Sequence, residues 1–198
     1  MKKALLNSVV LFTLAACGGE NSAKAPAPEA SAAQPQASAP VQSAIATMDT
    51  DWATYRQQAN NLLKDKRTGI SIPDTAEPSD NGDGSHKLYQ QLADGLVLSV
   101  ITDATSKLSE VRIIWQPENN PKQSQQLSTA AVSLLAATNA DDRKLFDDAT
   151  YQMAQAIESH NAKSGGASSG LQKFTRFDID YKIAVTNQPS VLLTANAK

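Results

Sequence analysis

The chain has 198 residues with 18 basic and 20 acidic side chains, a formal net charge of −2 and a single cysteine. It contains no block of basic residues, so it lacks the electrostatic footprint of a nucleic-acid-binding protein. The lone cysteine excludes an internal disulfide bond.

The first residues have the pattern of an export signal. Two lysines precede an apolar run at 4–14, which is too short for a bilayer span of about 20 residues. The motif that follows, Leu14-Ala15-Ala16-Cys17, resembles the lipobox of bacterial lipoprotein signal peptides. This resemblance implies removal of a signal peptide at 1–16. It also implies transfer of diacylglycerol to the Cys17 thiol and acylation of the new amino terminus.

The resemblance also implies a location. In lipoproteins of enteric-type bacteria, Asp directly after the modified Cys retains the protein at the inner membrane, whereas here the position is Gly18. We therefore expect the outer membrane of a Gram-negative bacterium, with the lipid as anchor. Alternatives for Cys17 are an ordinary secreted protein, a buried thiol or a catalytic thiol, and catalysis would need folded surroundings that lower the thiol pKa.

A disordered tether is predicted for residues 17–46. Of the 29 residues from Gly18 to Ala46, 21 are Ala, Pro, Ser or Gln, and none is aromatic. Such a segment buries too little apolar surface to offset the entropy of ordering. A single globular domain is expected over 47–198.

The first part of this domain predicts a helix and then a loop. Apolar residues recur at helical spacing in 51–66, and Thr50 or Asp49 is the expected N-cap. The segment "ISI" (70–72) predicts a short strand, and 73–86 is polar and rich in turn-forming residues.

The next segment predicts a three-stranded antiparallel meander over 87–116. "KLYQQLA" and "LVLSVIT" flank Asp94-Gly95, a pair typical of a type I′ hairpin turn. A second turn, "DATSK", leads to "LSEVRIIW", which ends at Trp115.

The remaining sequence predicts two helices and then strands. Apolar spacing indicates a helix of about 14 residues around 127–135, a break at "NADD" and a longer helix through 145–157. The segment "FTRFDIDYKIAV" (174–185) alternates like one long strand, which "TNQPS" turns back into "VLLTA". One face of that strand carries Phe177, Ile179, Tyr181, Ile183 and Val185, and the other carries Arg176, Asp178, Asp180 and Lys182.

The order of these elements predicts an α+β fold. We expect an antiparallel β-sheet of about five to six strands with helices packed on one face, because one apolar and one charged face is typical of such sheets. If the second face stays uncovered, it is the natural docking surface for a partner.

The motif Gly166-Ala167-Ser168-Ser169-Gly170 matches G-x-S-x-G, the nucleophile elbow of α/β-hydrolases. In those enzymes the motif lies between a strand and a helix, and the catalytic His follows it. Here the predicted order is helix then strand, and no His follows position 160. We therefore interpret the motif as a Gly/Ser loop.

Two further patterns suggest metal binding. Asn81, Asp83 and Gly84 fit positions three, five and six of a calcium loop, but Ser79 and Gln90 stand where the end ligands belong. A mobile acidic loop is the favoured interpretation, with a weak calcium site as its alternative. His86 and His160 are the two histidines, and their spacing indicates no zinc site, so no metal site is predicted.

Asp178 and Asp180 stand two apart on the predicted strand and would share a face, as glycosidase carboxylates do. Since Arg176 and Lys182 share that face, cross-strand charge pairing is the favoured interpretation. The aromatic residues Trp52, Tyr55 and Trp115 are expected in the core or at its rim.

No catalytic constellation and no cofactor motif emerge, so the prediction is a non-enzymatic, lipid-anchored envelope protein whose domain binds another protein or assists assembly. Nucleic acid is not an expected partner. The alternatives are a small-molecule-binding lipoprotein with a pocket between helices and sheet, and an enzyme whose site a single sequence does not show.

Overall fold

The computed structural model describes residues 45–162, 170–186 and 190–198. Cys17, the signal peptide and nearly all of the tether therefore lie outside the described residues, as do positions 166–169 of the G-x-S-x-G motif. The described residues fall within one compact unit, Gln42–Lys198.

Over the described ranges, three α-helices and a single 3-10 turn form the helical layer. Their bounds are α1 Trp52–Asp65, α2 Pro121–Ala136, the 3-10 turn Ala137–Asn139 and α3 Leu145–Ala162. The predicted helices and the break near 139–142 are confirmed. Within the described ranges, no helix combines the length and the apolar character needed to cross a membrane.

In the described part of the chain, seven strands form the sheet. Their bounds are β1 Ser79–Asp80, β2 Ser85–Ala93, β3 Leu96–Asp103, β4 Leu108–Trp115, β5 Leu171–Arg176, β6 Ile179–Val185 and β7 Val191–Ala197. They lie in the order β1-β2-β3-β4-β7-β6-β5, and every neighbouring pair is antiparallel. The α+β prediction is confirmed, but the expected five to six strands were too few.

Helix α1 begins one residue later than predicted. Neither Thr50 nor Asp49 caps it, because the carboxylate of Asp51 accepts a hydrogen bond of 2.8 Å from the backbone N–H of Thr54. Several interactions hold the pKa of Asp51 below its ordinary value of 3.8, and this hydrogen bond is the largest of them. The capping carboxylate therefore stabilises the fold in its charged form.

Asp51→Asn should flatten the acid side of the stability profile. The lowered pKa means that Asp51 contributes stability above its ordinary pKa of 3.8 and loses it as the pH falls through the folded-state value. Asn caps helices about as well as Asp, so the free energy of unfolding at pH 7 should change by only about 0.5 kcal/mol. Urea unfolding at pH 7, 4 and 2.5 measures both effects. An unchanged pH slope in the variant would contradict the role of Asp51.

The predicted strand at 70–72 is wrong. The side chain of Asn60 on α1 takes up both backbone groups of Ile72: its Nδ2 donates to the carbonyl at 3.0 Å, and its Oδ1 accepts from the N–H at 2.7 Å. These bonds tie the segment to a helix, so it makes no strand ladder. A short strand forms instead at β1, inside the region predicted as loop.

The meander of β2, β3 and β4 is confirmed, but its first turn is not of type I′. That type needs a positive φ at both central residues, and only Gly95 has one, at 74°. The register of the β2–β3 pairing is instead irregular between Gln91 and Ala93, next to this turn.

The strand predicted over 174–185 is two strands joined by a tight turn. Phe177 and Asp178 have φ values of 47° and 60°, the left-handed pair that a type I′ hairpin needs. Phe177 is 73% exposed, so its predicted place on the apolar face is wrong. Asp178 lies in the turn and not on a strand face.

The helices cover one face of the sheet. Helix α2 contacts β4 and β7, α3 contacts β5 and β6, and α1 packs on α2. Two buried tyrosines tie these layers together: the Tyr55 hydroxyl donates to the carbonyl of Leu134 at 3.0 Å, and the Tyr181 hydroxyl lies 3.1 Å from the hydroxyl of Thr138. Burial raises the pKa of Tyr55, and mainly burial raises that of Tyr181 to about 12, so both remain protonated donors.

Candidate functional site

The sheet has a second face that the core does not use. Residues paired across antiparallel strands share a face, and side chains alternate between faces along each strand. The inner face packs under the helices and carries the core side chains of the strands, such as Val100, Ile113 and Ile183. We call the opposite side the outer face.

An apolar row crosses the outer face over five strands. The pairings align its members, which are Val97, Ile114, Leu192, Ala184 and Leu171. None of them belongs to the core cluster of the described residues or packs against it. Leu171 is 41% exposed at the end of the row. Contiguous apolar side chains outside a protein core are typical of an interaction site.

A basic row runs beside the apolar row. It contains Tyr89, Ser99, Arg112, Thr194, Lys182 and Lys173. Tyr89 is 67% exposed at the end of this row on β2. A third row, with mixed charges, contains Lys87, Ile101, Glu110, Asn196, Asp180 and Thr175.

The acidic side chains of the outer face are already engaged. Glu110 forms a salt bridge with Arg112 at 2.8 Å. Asp180 accepts a hydrogen bond of 2.6 Å from the hydroxyl of Thr175 and lies 3.6 Å from the ammonium group of Lys198.

Three lysines of the outer face have no such partner. Within the described part of the chain, Lys87, Lys173 and Lys182 form no ion pair. Lys173 and Lys182 stand directly opposite each other across β5 and β6, an arrangement of like charges that destabilises a sheet. The outer face is therefore positively charged in a chain whose net charge is −2.

The predicted carboxylate pair does not form. Asp180 lies on the outer face, whereas Asp178 is displaced into the β5–β6 turn. Arg176 does not join the outer face either: its guanidinium contacts Asp142 at 2.5 Å and also Asp148, and the bond to Asp142 is the first cause that raises its pKa. The predicted charge pairing on this face holds for Asp180 but not for Lys182, which meets Lys173.

The acidic loop before β2 satisfies its own polar groups. Asp83 accepts hydrogen bonds from the hydroxyl and the backbone N–H of Ser85, at 2.5 and 3.0 Å, and these bonds lower its pKa. Gln90, the residue at the twelfth ligand position, lies in the middle of β2. Across the described ranges, no three His, Cys, Asp or Glu side chains are grouped as metal ligands would be.

The two histidines lie apart in the fold. His86 is on β2, where its Nδ1 is 3.3 Å from the carbonyl oxygen of Asp103. His160 is near the end of α3, which contacts β5 and β6 towards the opposite end of the strand order. Its Nδ1 is buried and has no hydrogen-bond partner among the described residues.

The aromatic residues divide into core and surface. Trp52, Tyr55 and Trp115 are buried, as expected for core residues. Tyr89 was not singled out as a functional residue from the sequence, although it stands on the polar side of the alternation in "KLYQQLA" and this position predicts exposure.

Two surface cavities lie away from the outer face. One of about 810 Å³ is lined by the end of α1 and the segment that follows it, including Asn60 and Arg67. The other, of about 680 Å³, lies between α1, the segment after α2 and the β5–β6 turn. The second is acidic, with Asp141 and Asp178 in its lining. It also includes Gln58, whose Oε1 is buried and finds no hydrogen-bond partner in the part of the chain that the structure describes.

Comparison with known proteins does not assign the chain to a family. No family model matches the sequence, and neither the characterised proteins nor the solved structures give a significant match. The outer face is therefore the feature from which a function has to be argued.

Proposed function

We propose that this chain is a lipid-anchored, non-enzymatic protein of the bacterial envelope whose domain binds a second protein through the outer face. The lipobox resemblance around Cys17 supports the anchor and the location at the outer membrane. The apolar row supports the binding role, and it is the observation that carries the proposal, because five apolar side chains aligned outside the core are typical of an interaction surface.

The charge of the outer face defines the partner's chemistry. Lys87, Lys173 and Lys182 form no ion pair with the described residues, and they flank apolar side chains. A protein surface with apolar side chains bordered by Asp and Glu would complement both features. The charges would give specificity and a faster encounter, and the apolar contact would supply most of the affinity.

Cys17→Ser should release the protein from the membrane. A single acyl chain binds a bilayer only marginally, whereas two or more chains anchor a protein stably, and without the thiol no diacylglycerol can be attached. Fractionation of the native host should find the wild type in the membrane pellet and the variant in the soluble fraction. Mass spectrometry of the wild type should show acyl chains on residue 17. An unmodified thiol at that position would contradict the anchor.

The outer face can be tested by comparing two tyrosines of similar exposure. Tyr89 is 67% exposed on the outer face, and Tyr151 is 61% exposed on helix α3. A photo-crosslinking amino acid at position 89 should give a discrete protein adduct in living cells, whereas position 151 should not. The purified adduct partner should then bind the wild type, with at least tenfold weaker binding to Ile114→Asp and weaker binding at high salt.

The same experiment has clear contrary outcomes. Adducts of equal yield and identity from both positions would show contact without a specific face. Unchanged binding by the Ile114→Asp variant, with its fold intact by circular dichroism, would exclude the apolar row as the docking surface.

Small-molecule binding is a second candidate function. The buried and unpartnered Oε1 of Gln58 in the cavity of about 680 Å³ favours it, because buried polar atoms normally have a partner. The acidic lining would suit a ligand with a positive charge. A metabolite that stays bound during purification of the wild type, and is lost from Gln58→Leu, would favour this candidate.

A further inference from the structure

At one long edge of the sheet, backbone groups have no partner strand among the residues that the structure describes. Strand β5 is the last in the order and pairs only with β6 among the described strands. The backbone N–H of Val185 donates to the carbonyl of Gly170 at 2.8 Å, and this bond sets which residues of β5 face β6. Because hydrogen-bonded and non-hydrogen-bonded pairs alternate, Gln172, Phe174 and Arg176 bond to β6. The N–H and C=O groups of Leu171, Lys173 and Thr175 therefore point away from the sheet.

The opposite edge of the sheet is protected against pairing with another strand, so the two edges differ. At that edge the short strand β1 pairs with the start of β2. Further along β2, the side-chain amide of Gln90 donates to the carbonyl of Gln91 at 3.0 Å, and the register is irregular just beyond. These are devices by which natural sheets block unwanted strand pairing. Along β5, the positive charge of Lys173 disfavours pairing with another strand. A strand with a negative charge opposite Lys173 can still pair there.

The outer face alone is small for a stable complex. Six strands at about 4.8 Å spacing and three rows about 7 Å apart cover on the order of 600 Å². A stable protein interface buries about 800 Å² on each partner. The edge of β5 adjoins the outer face, and Leu171, Lys173 and Thr175 project their side chains onto that face. A strand added there would enlarge the same interface.

We infer that β5 accepts an extended segment of the protein partner as an eighth strand, a deepening that rests on the proposed function. An acidic side chain of the segment would lie opposite Lys173 and offset its repulsion with Lys182. Two positions away on the same face, an apolar side chain would lie opposite Leu171 and extend the apolar row. The expected motif is thus an apolar and an acidic residue separated by one position, held by main-chain hydrogen bonds.

The same charges disfavour a second copy of this chain as the occupant. An antiparallel pairing of β5 with its copy that uses all three outward residues places Lys173 opposite Lys173. Lys182 adds a second positive charge on each side of that contact. A segment of opposite charge is the complementary ligand.

Proline at position 175 provides a sharp test. The N–H of Thr175 points away from β6, so Thr175→Pro removes a donor for an added strand while the β5–β6 ladder stays intact. Thr175→Val keeps that donor and is the matched control. The probe is a fluorescent decapeptide of alternating Val and Thr with Leu-Thr-Glu at its centre. A control peptide has the same sequence with Lys in place of Glu. Binding is measured by anisotropy with the lipidated full-length protein in detergent micelles.

We expect the Glu peptide to bind the wild type and Thr175→Val equally, and Thr175→Pro at least tenfold more weakly. It should also bind at least fivefold more tightly than the Lys peptide, and Lys173→Glu should reverse this preference. Equal binding by the Pro and Val variants, or no preference between the peptides, would overturn strand addition. A dimer of the wild type that Thr175→Pro abolishes would also overturn it, since a second copy would then fill the edge.

The crosslink from Tyr89 distinguishes this inference from the proposed function. If Thr175→Pro leaves the Tyr89 adduct intact and the peptide fails to bind, the outer face docks the partner without an added strand. If the peptide binds as expected but Tyr89 gives no adduct, strand addition stands and docking on the outer face is wrong.

Discussion

Ile113→Ala is expected to lower the free energy of unfolding by about 2–5 kcal/mol, whereas Ile114→Ala should lower it by less than about 1 kcal/mol. The two isoleucines are neighbours on β4 and share one chemistry and one strand. Ile113 is fully buried in the core at 0% exposure, and Ile114 lies in the apolar row outside the core. Truncation of Ile113 leaves a cavity under α2, while truncation of Ile114 removes atoms that water already contacts.

Urea unfolding of both variants, followed by tryptophan fluorescence at pH 7, measures this difference. Trp52 and Trp115 are both buried and report on the same core. Equal losses in the two variants would mean that the outer face is packed as tightly as the inner face. That result would remove the physical basis for docking on the apolar row.

Gly170→Ala is expected to destabilise the fold by about 3 kcal/mol. A Cβ atom at Gly170 would stand 1.9 Å from the backbone carbonyl oxygen of Ala156 on α3. Gly170 cannot easily move aside, because its own carbonyl accepts the hydrogen bond from Val185 at the start of the β5–β6 pairing. Either α3 or the start of β5 has to shift, and neither shift is a side-chain rearrangement.

Gly82→Ala is the control for this substitution. Gly82 has a φ of +80°, but a Cβ there would meet nothing within 4 Å. It should therefore cost only the backbone strain of a left-handed residue, about 1 kcal/mol. Thermal unfolding by circular dichroism compares the two variants with the wild type. A smaller loss at Gly170 than at Gly82 would contradict the close contact between α3 and β5.

Local sequence patterns were sufficient to predict several elements of this fold. Apolar spacing predicted α1, α2 and α3, because a helix that covers a sheet needs one apolar stripe. Alternation predicted the meander of β2, β3 and β4. Both patterns depend only on the order of apolar and polar side chains within one element, and a single sequence shows that order directly.

The prediction errors arose where the local structure depends on backbone conformation or on a side chain from another element. The apolar residues at 177, 179, 181, 183 and 185 hid the turn at Phe177 and Asp178, because the exposed Phe177 continues the alternation of β6. The two-residue turn changes the phase of the alternation, since the paired residues Arg176 and Ile179 share a face although they stand three apart. The turn was instead expected at Asp94-Gly95, whose composition suits type I′ better. The strand predicted at 70–72 is absent because Asn60, on another element, takes the backbone bonds of Ile72.

The candidate site was only partly visible in the sequence. An uncovered sheet face was expected as a docking surface, and Lys182 was placed on it. The apolar row was not foreseen, because Ile114, Leu192 and Leu171 come from distant parts of the chain. They become neighbours only when β7 inserts between β4 and β6.

Alternation along the sequence thus shows which residues within one strand share a side, because side chains alternate along an extended backbone. The motif around Cys17 that resembles a lipobox is likewise visible in consecutive residues. The tertiary structure alone decided that β4 lies beside β7 and that β5 ends the sheet. Strand order depends on which apolar faces α2 and α3 cover together, so the outer face and its open edge exist only in the folded chain.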